Sequence, residues 1–371
     1  MSTRFRFTAP PSPRAATGRV AEVYGQLARD FGLRAPDTFV VLSSAPELLT
    51  GAWALMRESL IAGPGDRTGK ELVALGVSLA NRCPFCVDAH TMLLHATGDH
   101  ALAERLARGE RPADERHARV LEWGERSRVP GALDDGPCPF PRAHLPGYLG
   151  TALAFHFINR VVSALVGESL LPGGAQRLRP VRSLGGRALA RTVRRTAVPG
   201  DALALLDRPD PGEAPAWAGG TPVGLAYAAL LRAAMAGAGL LDTDDQDLVE
   251  EVLHDWDGSH PPLALTGFPD RRERPGARLA LLAALAPYRI TDEDVAAWRR
   301  PGHSDDSPVP LVAFDDSLVR LVAFGAFLAV DRLESALGRA VRPGEPSRPS
   351  RGAAGSAVAR PVPGHLLGGH G

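Results

Sequence analysis

Between Lys70 and His90 the chain reads KELVALGVSLANRCPFCVDAH, and this stretch limits the fold more than any other. Apolar residues recur at helical spacing from Leu72 to Leu79 and again from Val87 to Leu94, and Asn81-Arg82 interrupts them. The pattern predicts two helices joined at a tight corner, with Cys83 at the N-cap of the second. Pro84 then takes the first helical position, where its missing N–H costs nothing and its fixed φ suits the helix.

The corner gathers reactive side chains. Two of the three cysteines, Cys83 and Cys86, lie at the start of a helix, where unpaired N–H groups and the macrodipole favour a thiolate. Cys86 and His90 stand at i and i+4, so sulfur and imidazole share a face. Glu71 is the only acid between Asp66 and Asp88. If the helices fold back on each other, its carboxylate reaches His90 and orients it, as a third group steers a catalytic base. Thr68 and Glu71 also stand in capping-box spacing, so capping its own helix competes for the same carboxylate.

Plainer readings use the same residues. Cys83, Cys86 and His90 would supply three zinc ligands, but no second CxxC or paired His/Cys follows to close a tetrahedron. A structural disulfide between the cysteines would close too short a loop to stabilise much. Two inert cysteines on a core face are the remaining alternative.

The spacing Glu71-x11-Cys83-x2-Cys86-x3-His90 resembles the signature of the AhpD-like alkylhydroperoxidases of the carboxymuconolactone decarboxylase superfamily, over about Ala45 to Ala107. The resemblance implies an all-α helical bundle that forms a homo-oligomer, with no bound organic cofactor or metal. It also implies a dithiol–disulfide cycle that reduces hydroperoxides. His90, held by Glu71, takes the proton of Cys86, which attacks the peroxide and becomes a sulfenic acid; Cys83 protonates the leaving group and closes the disulfide. An external dithiol, in the family a lipoyl protein and its reductase, restores the pair. Some members carry a further histidine before the second cysteine; Phe85 stands there in this chain, which shortens the relay. Two other activities remain open under the same resemblance: a decarboxylase or lactone-acting enzyme using acid/base groups, and a redox sensor that forms the disulfide but turns over slowly.

Composition enters where the rest of the chain is placed. Aromatic residues make up 6% of the 371 positions, and Ala and Leu lead the apolar set, which favours helices over sheets. Basic and acidic residues number 42 each, so no net charge draws the chain to nucleic acid or to a membrane. No run approaches the ~18 uncharged apolar residues of a spanning helix. The first residues, MSTRFRF, hold no apolar core of a secretory signal, and the expected compartment is a reducing cytoplasm.

Four segments are expected: an AhpD-like redox domain over 1–170, a Pro/Gly/Arg-rich linker over 171–221, a helical domain without the motif over 222–341, and a disordered tail over 342–371. Within the first, helices are expected over 16–31, 42–61, 100–108, 113–127 and 147–166. Trp53 and Met56 lie on an apolar stripe that would line a peroxide pocket. On the last of these helices His156, Asn159 and Arg160 make a polar strip that must face the dithiol, a subunit contact, solvent or neighbouring helix ends. His156 and Asn159, with Trp53, are the candidate substrate-binding residues. The linker carries a basic patch from Arg177 to Arg195, without the aromatic partners that nucleic-acid binding uses. The last domain, with helices expected over 224–238, 243–255, 274–285, 292–299 and 315–338, has the makings of a diverged repeat. His254, Asp255, Asp257 and His260 there suit a polar turn better than a metal site.

Overall fold

The computed structural model describes residues 4–134, 136–206, 213–299 and 311–340. Fourteen α-helices follow one another along them. They are α1 (Gly18–Gln26), α2 (Asp37–Val40), α3 (Pro46–Met56), α4 (Arg67–Ala80), α5 (Pro84–Thr97), α6 (His100–Ala107) and α7 (Glu115–Arg126). Then come α8 (Leu145–Leu165), α9 (Arg179–Val193), α10 (Pro222–Met235), α11 (Thr243–His254), α12 (Pro275–Leu285), α13 (Asp292–Arg299) and α14 (Leu311–Ala340). α1 and α3 run on through wider π turns, Leu27–Phe31 and Arg57–Ile61. Among the described residues there is no strand, and an isolated bridge pairs Phe5 with Val166. The expected fold class, all-α, is what the chain adopts.

Local chemistry sets the helix ends. Asp66, Asp99, Asp114 and Asp242 each precede a helix and accept a hydrogen bond from the backbone N–H three residues on, at 2.7, 3.0, 2.8 and 2.8 Å. Such a cap contributes ~1 kcal/mol. Pro46, Pro84, Pro222 and Pro275 open their helices at the first position.

The long helix α8 is the axis, buried along almost its whole length and packed against α3, α4, α10 and α14. α4 crosses α7 closely enough that a Cβ on Gly76 would lie 2.3 Å from the Leu121 carbonyl oxygen. That approach holds Glu71's helix against the bundle.

The expected segments share one core. The apolar cluster runs from Val23 to Leu337. Phe157 on α8 meets Phe327 on α14 with ring centroids 6.0 Å apart, and Arg160 Nε donates to the Ala284 carbonyl at 2.7 Å. The stretch 171–221, expected as a linker, supplies α9, which lies along α5. Several of its arginines are engaged: Arg182 pairs with Glu104 at 2.9 Å and Arg194 Nε donates to the Ala96 carbonyl at 3.0 Å. Residues 342–371, expected as a disordered tail, lie outside the described residues.

The 19-residue stretch Pro222–Leu240 is, by length and composition, apolar enough to cross a membrane. In the fold it covers α3 and α14, with Val223, Ala226, Tyr227, Leu230 and Ala234 buried.

Candidate active site

The predicted corner forms, and its geometry follows from the backbone. At the end of α4 the Arg82 N–H bonds to the Leu79 carbonyl at 3.1 Å and the Cys83 N–H to the Ser78 carbonyl at 3.0 Å. This is the Schellman closure, which needs a left-handed residue between them, ordinarily glycine. Arg82 takes that place at φ 56, at a cost of ~1–2 kcal/mol. Cys83 therefore ends one helix and caps the next. Pro84 begins α5 as expected, and the two sulfurs stand 2.7 Å apart, both buried.

Glu71 does not cap α4. Asp66 holds the cap, Arg67 is the first helical residue, and the Glu71 carboxylate turns into the interior, fully buried. Its Oε2 lies 2.6 Å from His90 Nδ1 and its Oε1 accepts from Arg67 Nε at 2.7 Å. Burial alone would raise this carboxyl's pKa; the Arg67 charge and the His90 hydrogen bond overcome it and hold the pKa below its ordinary value. An ionised Glu71 fixes the proton on His90 Nδ1 and leaves Nε2 as the acceptor. The His90 ring is steadied by Phe155, edge to face at 4.3 Å.

Of the two thiols, the more acidic is the one that the resemblance does not make the nucleophile. Burial pushes both thiols up. At Cys83, the Cys86 thiol 2.7 Å away and the Cys86 backbone N–H outweigh burial and leave it below the ordinary value. At Cys86, the hydrogen bond to Cys83 and the charge there add to burial and hold it well above. The two sulfurs titrate as a pair, with the more acidic position at Cys83.

Cys86 and His90 open into a cavity of about 650 Å³ that also meets Phe39, Met56, Phe155 and, from α9, Leu184. Its wall is mostly aliphatic and aromatic. Of the two residues expected to line an apolar pocket, Met56 does so and Trp53 does not. Trp53 is buried behind Phe39, with rings 5.7 Å apart, and its Nε1 donates to Gln26 at 2.8 Å. The α9 wall went unrecognised in the sequence because its stretch has the composition of a linker.

His156 and Asn159 also stand away from the cavity, fully buried behind the corner. Asn81 Nδ2 donates to His156 Nδ1 at 3.1 Å, and His156 Nε2–H donates to Ser127 Oγ at 2.9 Å, since the Ser127 proton is given to the Gly124 carbonyl at 2.7 Å. Burial, then the Arg160 and Arg128 charges, holds His156 well below its ordinary pKa, so it stays neutral. Asn159 Oδ1 lies 3.3 Å from Ser78 Oγ. The polar strip thus satisfies the last turn of α4 and props the corner from behind. Arg128 extends this network, with Nη1 on Asn81 Oδ1 at 2.6 Å and Nε on the Gly258 carbonyl at 2.9 Å. His260, weighed in the sequence as part of a metal cluster, instead lies 2.9 Å from the Ala80 carbonyl through Nε2.

Comparison with known proteins fits this geometry. The model of the carboxymuconolactone decarboxylase family matches residues 46–108, which span Glu71, both cysteines and His90. A Mycobacterium tuberculosis protein named alkyl hydroperoxide reductase Rv2159c is 36% identical over 348 residues, covering 91% of this chain and 96% of the relative. The likeness therefore extends far beyond the motif, through both halves of the shared core, and the chain belongs to the carboxymuconolactone decarboxylase family, among its AhpD-like members.

Proposed function

We propose that the chain is a thiol-dependent peroxidase that reduces organic hydroperoxides through the Cys83–Cys86 pair. The observation that carries the reading is the gathering of a buried ionised carboxylate, an imidazole and a closely paired dithiol at the wall of an apolar cavity. The name of the tuberculosis relative supports the same activity.

In this mechanism the Cys86 proton passes to His90 Nε2, and the Glu71 charge stabilises the imidazolium. The Cys86 thiolate attacks the peroxide; the O–O bond breaks, the sulfur becomes a sulfenic acid, and the departing alkoxide takes the proton back from His90. Cys83, as its thiolate, then attacks the sulfenic sulfur, forming the disulfide and releasing hydroxide, which is protonated to water by solvent. Here the lowered pKa of Cys83 suits the resolving step rather than the first attack. Two electrons from an external dithiol restore the pair.

Hydroperoxide consumption with dithiothreitol as donor tests the proposal. Wild type should turn over, and Cys86→Ser should not. Equal rates for both proteins would rule the peroxidase out. Activity on a lactone or acid substrate that survives Cys83→Ser together with Cys86→Ser would favour the family's acid/base chemistry instead.

A further inference from the structure

The redox pair stands in a wall between two cavities. The larger one reaches Cys86 and His90 but not Cys83. A second, of about 210 Å³, reaches Cys83 but not Cys86. Phe85, between the two cysteines in sequence, lines both. The linings differ in chemistry: the smaller cavity carries Arg6, Arg82, Ser163, Glu168 and Tyr288. Arg82 and Pro84 are exposed and form its rim.

We propose that the smaller cavity is the entrance of the reductant, a slender thiol that attacks Cys83, while hydroperoxide meets Cys86 from the other side. The inference rests on the peroxidase reading above for the source of the disulfide. Three observations carry it. Thiol–disulfide exchange needs the attacking, central and departing sulfurs nearly in line, because the incoming lone pair enters the S–S antibonding orbital. A thiolate aimed at Cys83 must arrive from the side away from Cys86, and the smaller cavity lies against Cys83 without touching Cys86. The attacking species must be the thiolate, and two guanidinium groups against one carboxylate favour an anion there. The space admits a thiol on a narrow arm but not the folded surface of a redox protein.

The step balances. The donor thiolate forms an S–S bond to Cys83 as the Cys83–Cys86 bond breaks, and Cys86 leaves as a thiolate. A donor's second thiolate then attacks its own sulfur in the mixed disulfide, releasing Cys83 and leaving the donor oxidised by two electrons. Leaving-group stability alone favours the opposite order, with Cys83 departing. The departing Cys86 sulfur opens into the larger cavity beside His90, whose Nε2 relays a proton to it from solvent, and this offsets that preference.

The test uses the full chain carrying Cys138→Ala, which removes the third, exposed cysteine, with the pair oxidised by diamide so that the result does not depend on hydroperoxide. Excess 2-mercaptoethanol, acid quench and fragment mass spectrometry locate the mixed disulfide, which is expected on Cys83. Separately, Arg82→Glu should slow reduction of the disulfide by dithiothreitol about tenfold, while the rate of oxidation of the reduced pair by tert-butyl hydroperoxide stays within about twofold. An adduct on Cys86, or an Arg82→Glu effect equal in both half-reactions, overturns the proposal. A chain that is oxidised by diamide but not by hydroperoxide refutes the peroxidase reading alone.

Discussion

Glu71 and His90, on consecutive helices, meet at 2.6 Å inside the protein, and the second carboxylate oxygen is bound by Arg67. Both oxygens are thus committed, one to the imidazole and one to a largely buried guanidinium. The imidazole cannot rotate without breaking a buried charge-assisted bond, which is worth more than a neutral one.

Replacing Glu71 with Gln keeps the shape and removes the charge that stabilises the imidazolium. We expect kcat/KM for tert-butyl hydroperoxide to fall by roughly 10²-fold, with the protein still folded by circular dichroism. An unchanged rate would mean that His90 works without its carboxylate.

Ala89 lines the larger cavity beside His90. Ala89→Phe should fill that space, raising KM for cumene hydroperoxide by about tenfold while hydrogen peroxide is affected within about twofold. Parallel steady-state assays on the two substrates check this, and equal changes for both would place the bulky substrate elsewhere.

Stability should vary with pH in two windows. Asp30, Asp66 and Glu71 have carboxyls held below their ordinary values by partners that outweigh burial. A depressed carboxylate lends stability that is complete above the unfolded value of ~4 and is lost as pH falls through the folded one. Lys70 behaves differently. Burial, aided by the Arg67 charge, pulls it down to about 7, against ~10.4 when unfolded. Between those values the unfolded chain holds more proton, so stability rises with pH there. Calorimetric Tm should therefore drop below pH ~4 and climb above pH 7. The climb should flatten in Lys70→Met, and its persistence would assign it to another group.

Gly76→Ala places a methyl against the Leu121 carbonyl at the α4–α7 crossing. The contact involves backbone, which yields little, so we expect a loss of about 1–3 kcal/mol. In urea unfolding this appears as a lower midpoint at unchanged slope. An unshifted midpoint would show that the two helices separate freely.

The sequence by itself determined the corner: the apolar rhythm breaks at Asn81-Arg82, Pro84 restarts a helix, and Cys86 and His90 are bound to share a face. These are local consequences of helical periodicity, and they placed the helices, the all-α class and the dithiol. The partner of Glu71 was not local. Its spacing suits a capping box as well as a relay, and only the presence of Asp66 at the cap and the fold-back of α5 turned the carboxylate to His90. His156 and Asn159 look alike from either side of a buried helix; packing against Ser78, Asn81 and Ser127 gave them to the corner's support rather than to the substrate. α9 became a cavity wall because Leu184 and its neighbours face α5, which an arginine-rich composition conceals. Periodicity fixes what lies along one helix, whereas contacts between helices depend on how many surfaces compete for the same neighbour, and that competition is resolved only in three dimensions.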